Sequence, residues 1–171
     1  GEGSFISDLS VLTSGINYSV SAAASHSGGT SYGNEVSFTT PCPHPQAGTE
    51  PESNLTFEGA TLRGIVNANG AQTEASFEFG TTMDYGNTIP AKENPVTGST
   101  ETMVSANIGG LLPKTTYHYR VKATSCGGTV YGSDRQFETP CPPPIVMVNP
   151  ATGVGVSSAI LNAVVNARNY S

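Results

Sequence analysis

Apolar and polar residues alternate along several short segments of the chain, as they do in strands with one buried face. No segment shows a sustained helical period, and Gly, Pro and Asn turns separate the alternating stretches. The pattern predicts strands over residues 60–68, 74–80, 104–108, 117–123 and 130–137, with a first edge strand near 54–57. The predicted buried faces contain Leu62 and Val66, Phe77 and Phe79, and alternate residues from Tyr117 to Ala123. The sequence therefore predicts an all-β chain.

The chain repeats itself at a spacing of 99 residues. Residues 1–72 superpose on 100–171 without a gap, and 21 of these 72 pairs are identical. The best-matched stretches are "SHSGGTSYGNEVSFTTPCP" (25–43) and "TSCGGTVYGSDRQFETPCP" (124–142). Self-similarity at a fixed period indicates tandem repeats. We expect both ends of the chain to lie inside domains, and the predicted units are the C-terminal part of a preceding repeat (1–40), a complete repeat (41–140) and the N-terminal part of a following repeat (141–171).

The closing half of the repeat resembles fibronectin type III-like repeats of secreted bacterial surface proteins. The segment "GGLLPKTTYHYRVKATSCGGTVYGSDRQFETP" contains that family's corner, alternating strand, Gly-Thr hairpin, Tyr-Gly turn and closing strand; its matching residues are Leu111, Pro113, Thr115, Tyr117, Tyr131, Gly132, Phe137 and Thr139. "ATLRGIVNANG" and "FEFGTTMDYGNT" resemble the family's earlier strands. The resemblance implies tandem Ig-like, fibronectin type III-like antiparallel β-sandwiches with a 99-residue period. It also implies that Tyr117, and Tyr18 in the first copy, form a tyrosine corner.

The same resemblance implies a disulfide, because in this fold the incoming linker and the last hairpin lie at the same end of the sandwich. Cys42 is in that linker and Cys126 is in that hairpin, so we expect them to be bonded, stabilising the repeat by roughly 2–4 kcal/mol. A disulfide implies an oxidising, extracellular or cell-surface setting. Cys141 repeats Cys42, and its partner is expected in the following repeat. Ser27 replaces Cys126 in the first copy. The alternative is three free thiols.

The sequence offers no recognisable set of catalytic or metal-binding residues. The three histidines lie outside metal-ligand spacing of one another, and there is no Cys-x-x-Cys pair; they are His26, His44 and His118. We expect His118 to be solvated on the outward face of its strand. The aspartates, Asp8, Asp84 and Asp134, lie at predicted strand ends or turns, and the sequence shows no Ca²⁺-loop pattern. We therefore expect no enzyme, no cofactor and no metal.

Charge and composition exclude two classes of partner. The net charge is −6, and the basic residues cluster nowhere beyond Arg120 and Lys122, so no nucleic-acid partner is expected. No apolar run reaches the roughly 20 residues of a membrane helix, so no membrane insertion is expected. Asn17, Asn54 and Asn169 begin N-glycosylation triplets. Chance alone yields about three such triplets in a chain of this composition, so they are candidate sites only.

The preferred functional hypothesis is a structural segment of an extracellular fibre, pilus-like filament or cell-surface stalk. The Pro-rich linkers "PCPHPQ" and "PCPPPI" favour stiff, extended joints between repeats. The partial repeats at the two ends suggest self-association in the manner of donor-strand complementation. A composite of two ends would lack the equivalents of Thr73 to Ser99, however. The simpler interpretation is a series of neighbouring repeats in one long polypeptide.

The alternative hypothesis is an adhesion module, or a carbohydrate- or protein-binding spacer of a secreted protein. Such a module would bind a glycan or a surface protein through its polar loops, predicted at residues 67–73, 81–87 and 125–130. An exposed aromatic platform would favour it. Tyr85 and Tyr170 are the loop candidates, and both are expected to pack within their turns.

Overall fold

A computed structural model describes residues 3–168, and every regular element in that range is a β-strand. The strands pair in antiparallel fashion. They are β1 (Asn17–Val20), β2 (Ala23–His26), β3 (Gly29–Tyr32), β4 (Val36–Thr39), β5 (Gln46–Ser53), β6 (Gly59–Asn67), β7 (Glu74–Gly80), β8 (Asn87–Pro90), β9 (Glu101–Gly109), β10 (Thr116–Ser125), β11 (Gly128–Tyr131), β12 (Arg135–Glu138), β13 (Ile145–Thr152) and β14 (Ile160–Asn166). The chain is therefore all-β, as the alternation predicted.

Strands β5 to β12 form two sheets that enclose the core. One sheet has the order β5-β6-β9, and the other has the order β8-β7-β10-β11, with β12 also paired to β10. The side chains of Leu62, Val66, Phe77, Tyr119 and Val121 are all 0% exposed and form one cluster between the sheets. Burial of this apolar surface is the main stabilising contribution to such a fold. The predicted buried faces of β6 and β10 are confirmed, whereas Phe79 is only partly buried.

The expected edge strand near 54–57 is wrong. The first strand of this sandwich is β5, and residues 54–57 lie in the turn that leads to β6. β5 reads QAGTEPES, a polar sequence with no apolar alternation, and its register shifts between Glu50 and Ser53. Pro51 lies inside that irregularity, where its missing N–H costs no ladder hydrogen bond. Pairing with β6, rather than local sequence, places this strand.

The predicted closing strand over 130–137 is two strands in the structure. β11 pairs with the second half of β10, and β12 pairs with the first half. Gly132 lies between them, and its N–H donates to the carbonyl of Val121 at 3.0 Å. A Cβ on Gly132 would overlap the side chain and backbone of Thr49, so this close approach to β5 requires glycine. The short strand β8 was not predicted.

The strands outside the two central sheets form small two-stranded sheets. β1 pairs with β4, β2 with β3, and β13 with β14. Residue pairs in the β1–β4 sheet recur 99 residues later in the central sandwich. Tyr18 is opposite Phe38, and Tyr117 is opposite Phe137. Unlike their central counterparts, most apolar side chains of these strands are exposed. We call residues 3–40 the head and residues 141–168 the tail.

Candidate functional site

The linker after the head is fixed to one end of the central sandwich. Cys42 and Cys126 form a disulfide with their Cα atoms 5.8 Å apart, across 84 residues of sequence. The carbonyl of Pro43 accepts a hydrogen bond from the Ser125 hydroxyl at 3.4 Å. The side-chain amide of Asn69 donates to the carbonyl of His44 at 2.8 Å. One covalent bond and two hydrogen bonds therefore hold three consecutive linker residues.

The head contacts the same end of the sandwich. The hydroxyl of Ser14 donates to the carbonyl of Gly70 at 3.2 Å. A Cβ on Gly15 would lie 3.0 Å from the Sγ of Cys126, and Gly15 has a φ of +72°. We call this meeting of residues 13–15, 42–44, 69–70 and 125–127 the joint. Two of the loops proposed as ligand sites, 67–73 and 125–130, contribute to it.

A charged and aromatic cluster covers the outer face of the β7–β10–β11 sheet. The guanidinium of Arg120 donates to the Glu78 carboxylate from Nε at 3.0 Å and from Nη2 at 2.8 Å. The Lys122 ammonium lies 3.3 Å from the other oxygen of that carboxylate. Arg120 also stacks on two rings, 3.9 Å from the centroid of Tyr131 and 4.6 Å from that of Tyr85. We call these five residues the Arg120 cluster.

The charges of the Arg120 cluster stabilise one another. Burial alone would raise the pKa of the Glu78 carboxyl, but hydrogen bonds and attraction from Arg120 and Lys122 outweigh it, so this pKa is lowered. Burial also opposes the charged form of Arg120, and its bonds to Glu78 raise its pKa nevertheless. Burial, followed by the hydrogen bond to Asp134, raises the pKa of Tyr85. At neutral pH the cluster is a paired network.

His118 is not freely solvated, which corrects the expectation for this residue. Its Nδ1 lies 2.9 Å from Asp134 Oδ2, and its side chain is only 20% exposed. The other oxygen of Asp134 accepts the hydroxyl of Tyr85 at 2.9 Å. Within residues 3–168, no serine, threonine or cysteine side chain is hydrogen-bonded to His118. Tyr85 is 8% exposed and packs within its turn, as predicted.

The remaining candidate residues are separated from one another. Asn17 is exposed at the start of β1, and exposed Asn54 donates its side-chain amide to Thr61 Oγ1 at 3.2 Å. Asn169 and Tyr170 lie outside the described residues. Cys141 is a free, exposed cysteine. No group of three or more His, Cys, Asp or Glu in residues 3–168 is arranged to hold a metal ion. That range also contains no helix with the length and apolarity to cross a bilayer.

The Arg120 cluster was missed by the sequence reasoning, although a signal for it exists. Alternation along the strands places Arg120 and Lys122 on the outward face of β10 and Glu78 on that of β7. In the ladder Arg120 is directly opposite Glu78. Opposite charges on facing positions of adjacent strands attract. The strand register was needed to make this pairing visible.

Comparison with known proteins gives a distant structural likeness. No protein-family model matches the chain, and no curated protein does. Two solved structures of the sensor domain of the anti-sigma factor RsgI4 of Pseudobacteroides cellulosolvens are similar to it. The shorter version is 21% identical with a TM-score of 0.45, covering 56% of this chain and 94% of that one. The longer version is 18% identical with a TM-score of 0.43, covering 66% of this chain and 100% of that one. Such low values transfer no function to this chain.

Proposed function

We propose that the chain is a structural segment of an extracellular fibre, filament or cell-surface stalk, built from tandem fibronectin type III-like sandwiches with a 99-residue period. The joint is the observation that favours this role. The linker is held by a disulfide and by hydrogen bonds to two carbonyls, and the head itself bonds to Gly70. A spacer that keeps its repeats in a fixed relative orientation requires such a joint.

Equivalent hydrogen bonds support the repeat. The N–H of Thr13 donates to the Tyr18 hydroxyl at 2.9 Å, and the N–H of Leu112 donates to that of Tyr117 at 3.0 Å. The hydroxyl of Thr40 donates to the Thr13 carbonyl at 2.6 Å, and Thr139 donates to Leu112 at the same distance. Identical bonds in two copies indicate a structural role for these residues. A tyrosine corner has this geometry, so these bonds support the proposed fibronectin type III-like repeats.

The proposed location is extracellular or at the cell surface, and the proposed role is not catalytic. A disulfide across 84 residues persists in an oxidising compartment. The His118–Asp134 pair is joined to the Arg120 cluster by the hydrogen bond from the Tyr85 hydroxyl to Asp134, and both groups stabilise the outer sheet face. No cofactor or metal is part of the proposal.

Backbone ¹⁵N relaxation tests the rigid joint. In the oxidised chain, with Cys141→Ser to prevent intermolecular disulfides, amides of β1–β4 and of the central strands should report one common rotational correlation time. In the Cys42→Ser/Cys126→Ser variant, the head should tumble faster than the centre. A head that tumbles independently in the oxidised chain would refute the spacer function.

A carbohydrate- or protein-binding spacer is the second candidate, favoured by a cleft beside the Arg120 cluster. The cleft has a volume of about 490 Å³ and is lined in part by Glu78, Met83, Asp84 and Arg120. Met83 is 65% exposed there. Titration with soluble oligosaccharides, followed by amide chemical shifts, should move signals of residues 81–88 if this function holds. Unchanged spectra at millimolar ligand would reject the carbohydrate version.

A further inference from the structure

The outer face of the β5–β6–β9 sheet has a hollow at the Gly59 end of β6. On this face the cross-strand pair Thr61–Asn107 is followed by the pair Gly59–Gly109, and the two glycines have no side chains to fill the space. A Cβ on Gly59 would overlap the carbonyl of Ile108, so this position requires glycine. The hollow has a volume of about 400 Å³, which is within the range of small-ligand sites. We call it the Asn107 hollow, and its polar side chains are Asn54, Thr56, Thr61, Lys92 and Asn107.

Four of these side chains form a chain of hydrogen bonds across the hollow. The side-chain amide of Asn54 donates to Thr61 Oγ1 at 3.2 Å, and the Thr61 hydroxyl donates to Asn107 Oδ1 at 2.9 Å. The Lys92 ammonium donates to the same oxygen at 3.2 Å. Because an ammonium group can only donate, the contacting atom of Asn107 is its oxygen, and this fixes the orientation of the amide. The Nδ2 of Asn107 has no hydrogen-bond partner within residues 3–168 and is available to a ligand.

The backbone holds Lys92 at the hollow, and its charge has no carboxylate partner there. The N–H of Lys92 donates to the Ser105 carbonyl in β9 at 2.8 Å, and the N–H of Ala91 donates to the Ala75 carbonyl in β7 at 3.0 Å. The carboxylate of Glu93 accepts the N–H of Ser105 at 2.7 Å and its hydroxyl at 3.1 Å, so both carboxylate oxygens are engaged. Within residues 3–168, no carboxylate forms an ion pair with Lys92. The Asn107 hollow therefore has one unpaired positive charge and an excess of hydrogen-bond donors.

We propose that the Asn107 hollow binds an acidic glycan through the carboxylate of a uronic acid unit. The Lys92 ammonium pairs with this carboxylate, and the side-chain amides of Asn54 and Asn107 donate to the carboxylate or to ring oxygens. Charge-assisted hydrogen bonds of this kind are stronger than bonds between neutral groups. The sugar hydroxyls both donate and accept, so they also match the Thr61 hydroxyl and the amide oxygen of Asn54.

The lining favours a sugar over an acidic peptide. It contains no aromatic ring, and its apolar members Ala60 and Ile108 are 5% and 7% exposed because they belong to the core. The hollow thus offers hydroxyl and amide groups to a polyhydroxylated ligand and no apolar surface to a peptide side chain. Lys92 and Asn107 are exposed, and the joint lies beyond the other end of β6, so the head leaves the hollow open.

Titration of the ¹⁵N-labelled chain with trigalacturonate tests the site, followed by amide chemical shifts in a Cys141→Ser background. The protein is produced in a host without N-glycosylation, so that the Asn54 amide stays unmodified. Signals of residues 54–61, 91–93 and 105–109 should move and saturate at millimolar ligand. The methyl ester of the same trisaccharide lacks the charge, and it should bind about tenfold more weakly or worse. Triglutamate, which has carboxylates without sugar hydroxyls, should also bind about tenfold more weakly or worse.

Two variants remove the recognition and one serves as a control. Lys92→Gln deletes the positive charge and should weaken binding of trigalacturonate about tenfold or more. Asn107→Asp places a carboxylate beside Lys92 that competes with the ligand, and it should weaken binding at least as much. Lys114→Gln makes the same change of charge at an exposed lysine outside the hollow and should bind like the wild type. All three residues are exposed, so the thermal transition of the central sandwich should be unchanged.

Several results would overturn the acidic-glycan site. Unchanged spectra at millimolar trigalacturonate would do so, as would wild-type affinity in Lys92→Gln. Equal binding of the methyl ester would remove the role of the charge, and equal binding of triglutamate would remove the preference for a sugar. Shifts confined to residues 81–88 would place the ligand in the cleft beside the Arg120 cluster instead. The relaxation experiment is independent: a rigid joint in a chain that binds no glycan would leave the spacer function standing.

Discussion

The hydroxyl of Tyr117 accepts a hydrogen bond from the N–H of Leu112 at 3.0 Å and so ties the loop before β10 to the strand itself. The Tyr117 ring is also buried, 5.8 Å from that of Phe137. The phenol therefore combines an apolar contact with a backbone bond, which only tyrosine can provide here.

Tyr117→Phe should destabilise the central sandwich by about 1–2 kcal/mol, because the ring stays and the Leu112 N–H loses its partner. Urea denaturation followed by circular dichroism measures the change. Tyr131→Phe is the control, since its hydroxyl makes no hydrogen bond within residues 3–168 and its ring still faces Arg120. Equal losses of unfolding free energy in the two variants would contradict a stabilising role for the hydrogen bond to the Tyr117 hydroxyl.

Removing the disulfide should destabilise the centre by roughly 2–4 kcal/mol, because the bond closes a long loop in the unfolded chain. The Cys42→Ser/Cys126→Ser variant and the reduced wild type should both unfold at a lower urea midpoint, and the two decreases should be equal. Cys141→Ser should not shift it, because that thiol is free and exposed. If reduction leaves the midpoint unchanged, the bond between linker and hairpin is not stabilising.

The stability of the central sandwich should decrease as the pH is lowered and Glu78 becomes protonated. The pKa of Glu78 is lowered from its ordinary 4.5, so its contribution is complete above that value and is lost as pH falls through the lower native pKa. Glu78→Gln should lose about 1 kcal/mol at neutral pH and show a shallower decline below pH 4.5. Glu58→Gln, an exposed carboxylate outside the described ion pairs, should keep the wild-type profile. Thermal melts across the pH range measure both.

Gly64→Ala should destabilise the centre by about 1–3 kcal/mol, because the added methyl would overlap Val121 across the two sheets and the backbone carbonyl of Gly48 in β5. Val121→Ala removes the obstructing methyl groups, so the double variant should be more stable than the sum of the single losses by roughly 0.5 kcal/mol or more. Gly48→Ala is the control, since a Cβ there meets nothing within 4 Å. Additive losses would show that the two positions do not share this space.

The buried faces were predictable and the edges were not. β6, β7 and β10 alternate because one face is buried, and burial follows directly from side-chain chemistry. β5 and β8 are edge strands whose positions depend on pairing with β6 and β7, and β5 carries no alternation at all. Local sequence therefore suggested an edge strand at 54–57, where the structure has a turn. The break at Gly132 similarly reflects the approach of Thr49, a residue more than eighty positions away.

The candidate functional features also divide into those that the sequence predicted and those that it did not. Cys42 and Cys126 were paired from the expected fold, and the structure joins them. The contact of Ser14 with Gly70 could not be predicted, because it depends on how the head meets the sandwich. His118 was expected in solvent because its strand position faces outward. Its partner Asp134 comes from the β11–β12 turn, which alternation within β10 does not describe.

In a rod of the kind proposed, the disulfide would also determine the route of mechanical load. Tension arriving along the linker at Cys42 passes to Cys126 through the sulfur atoms, and from there to the following linker. The segment between them, residues 43–125, includes β5 to β10 and lies off this path. Pulling can unfold β11 and β12, but it cannot extend the segment closed by the disulfide, which would add roughly 280–300 Å of length if fully extended. An oxidised repeat is therefore nearly inextensible, and a reduced one is not.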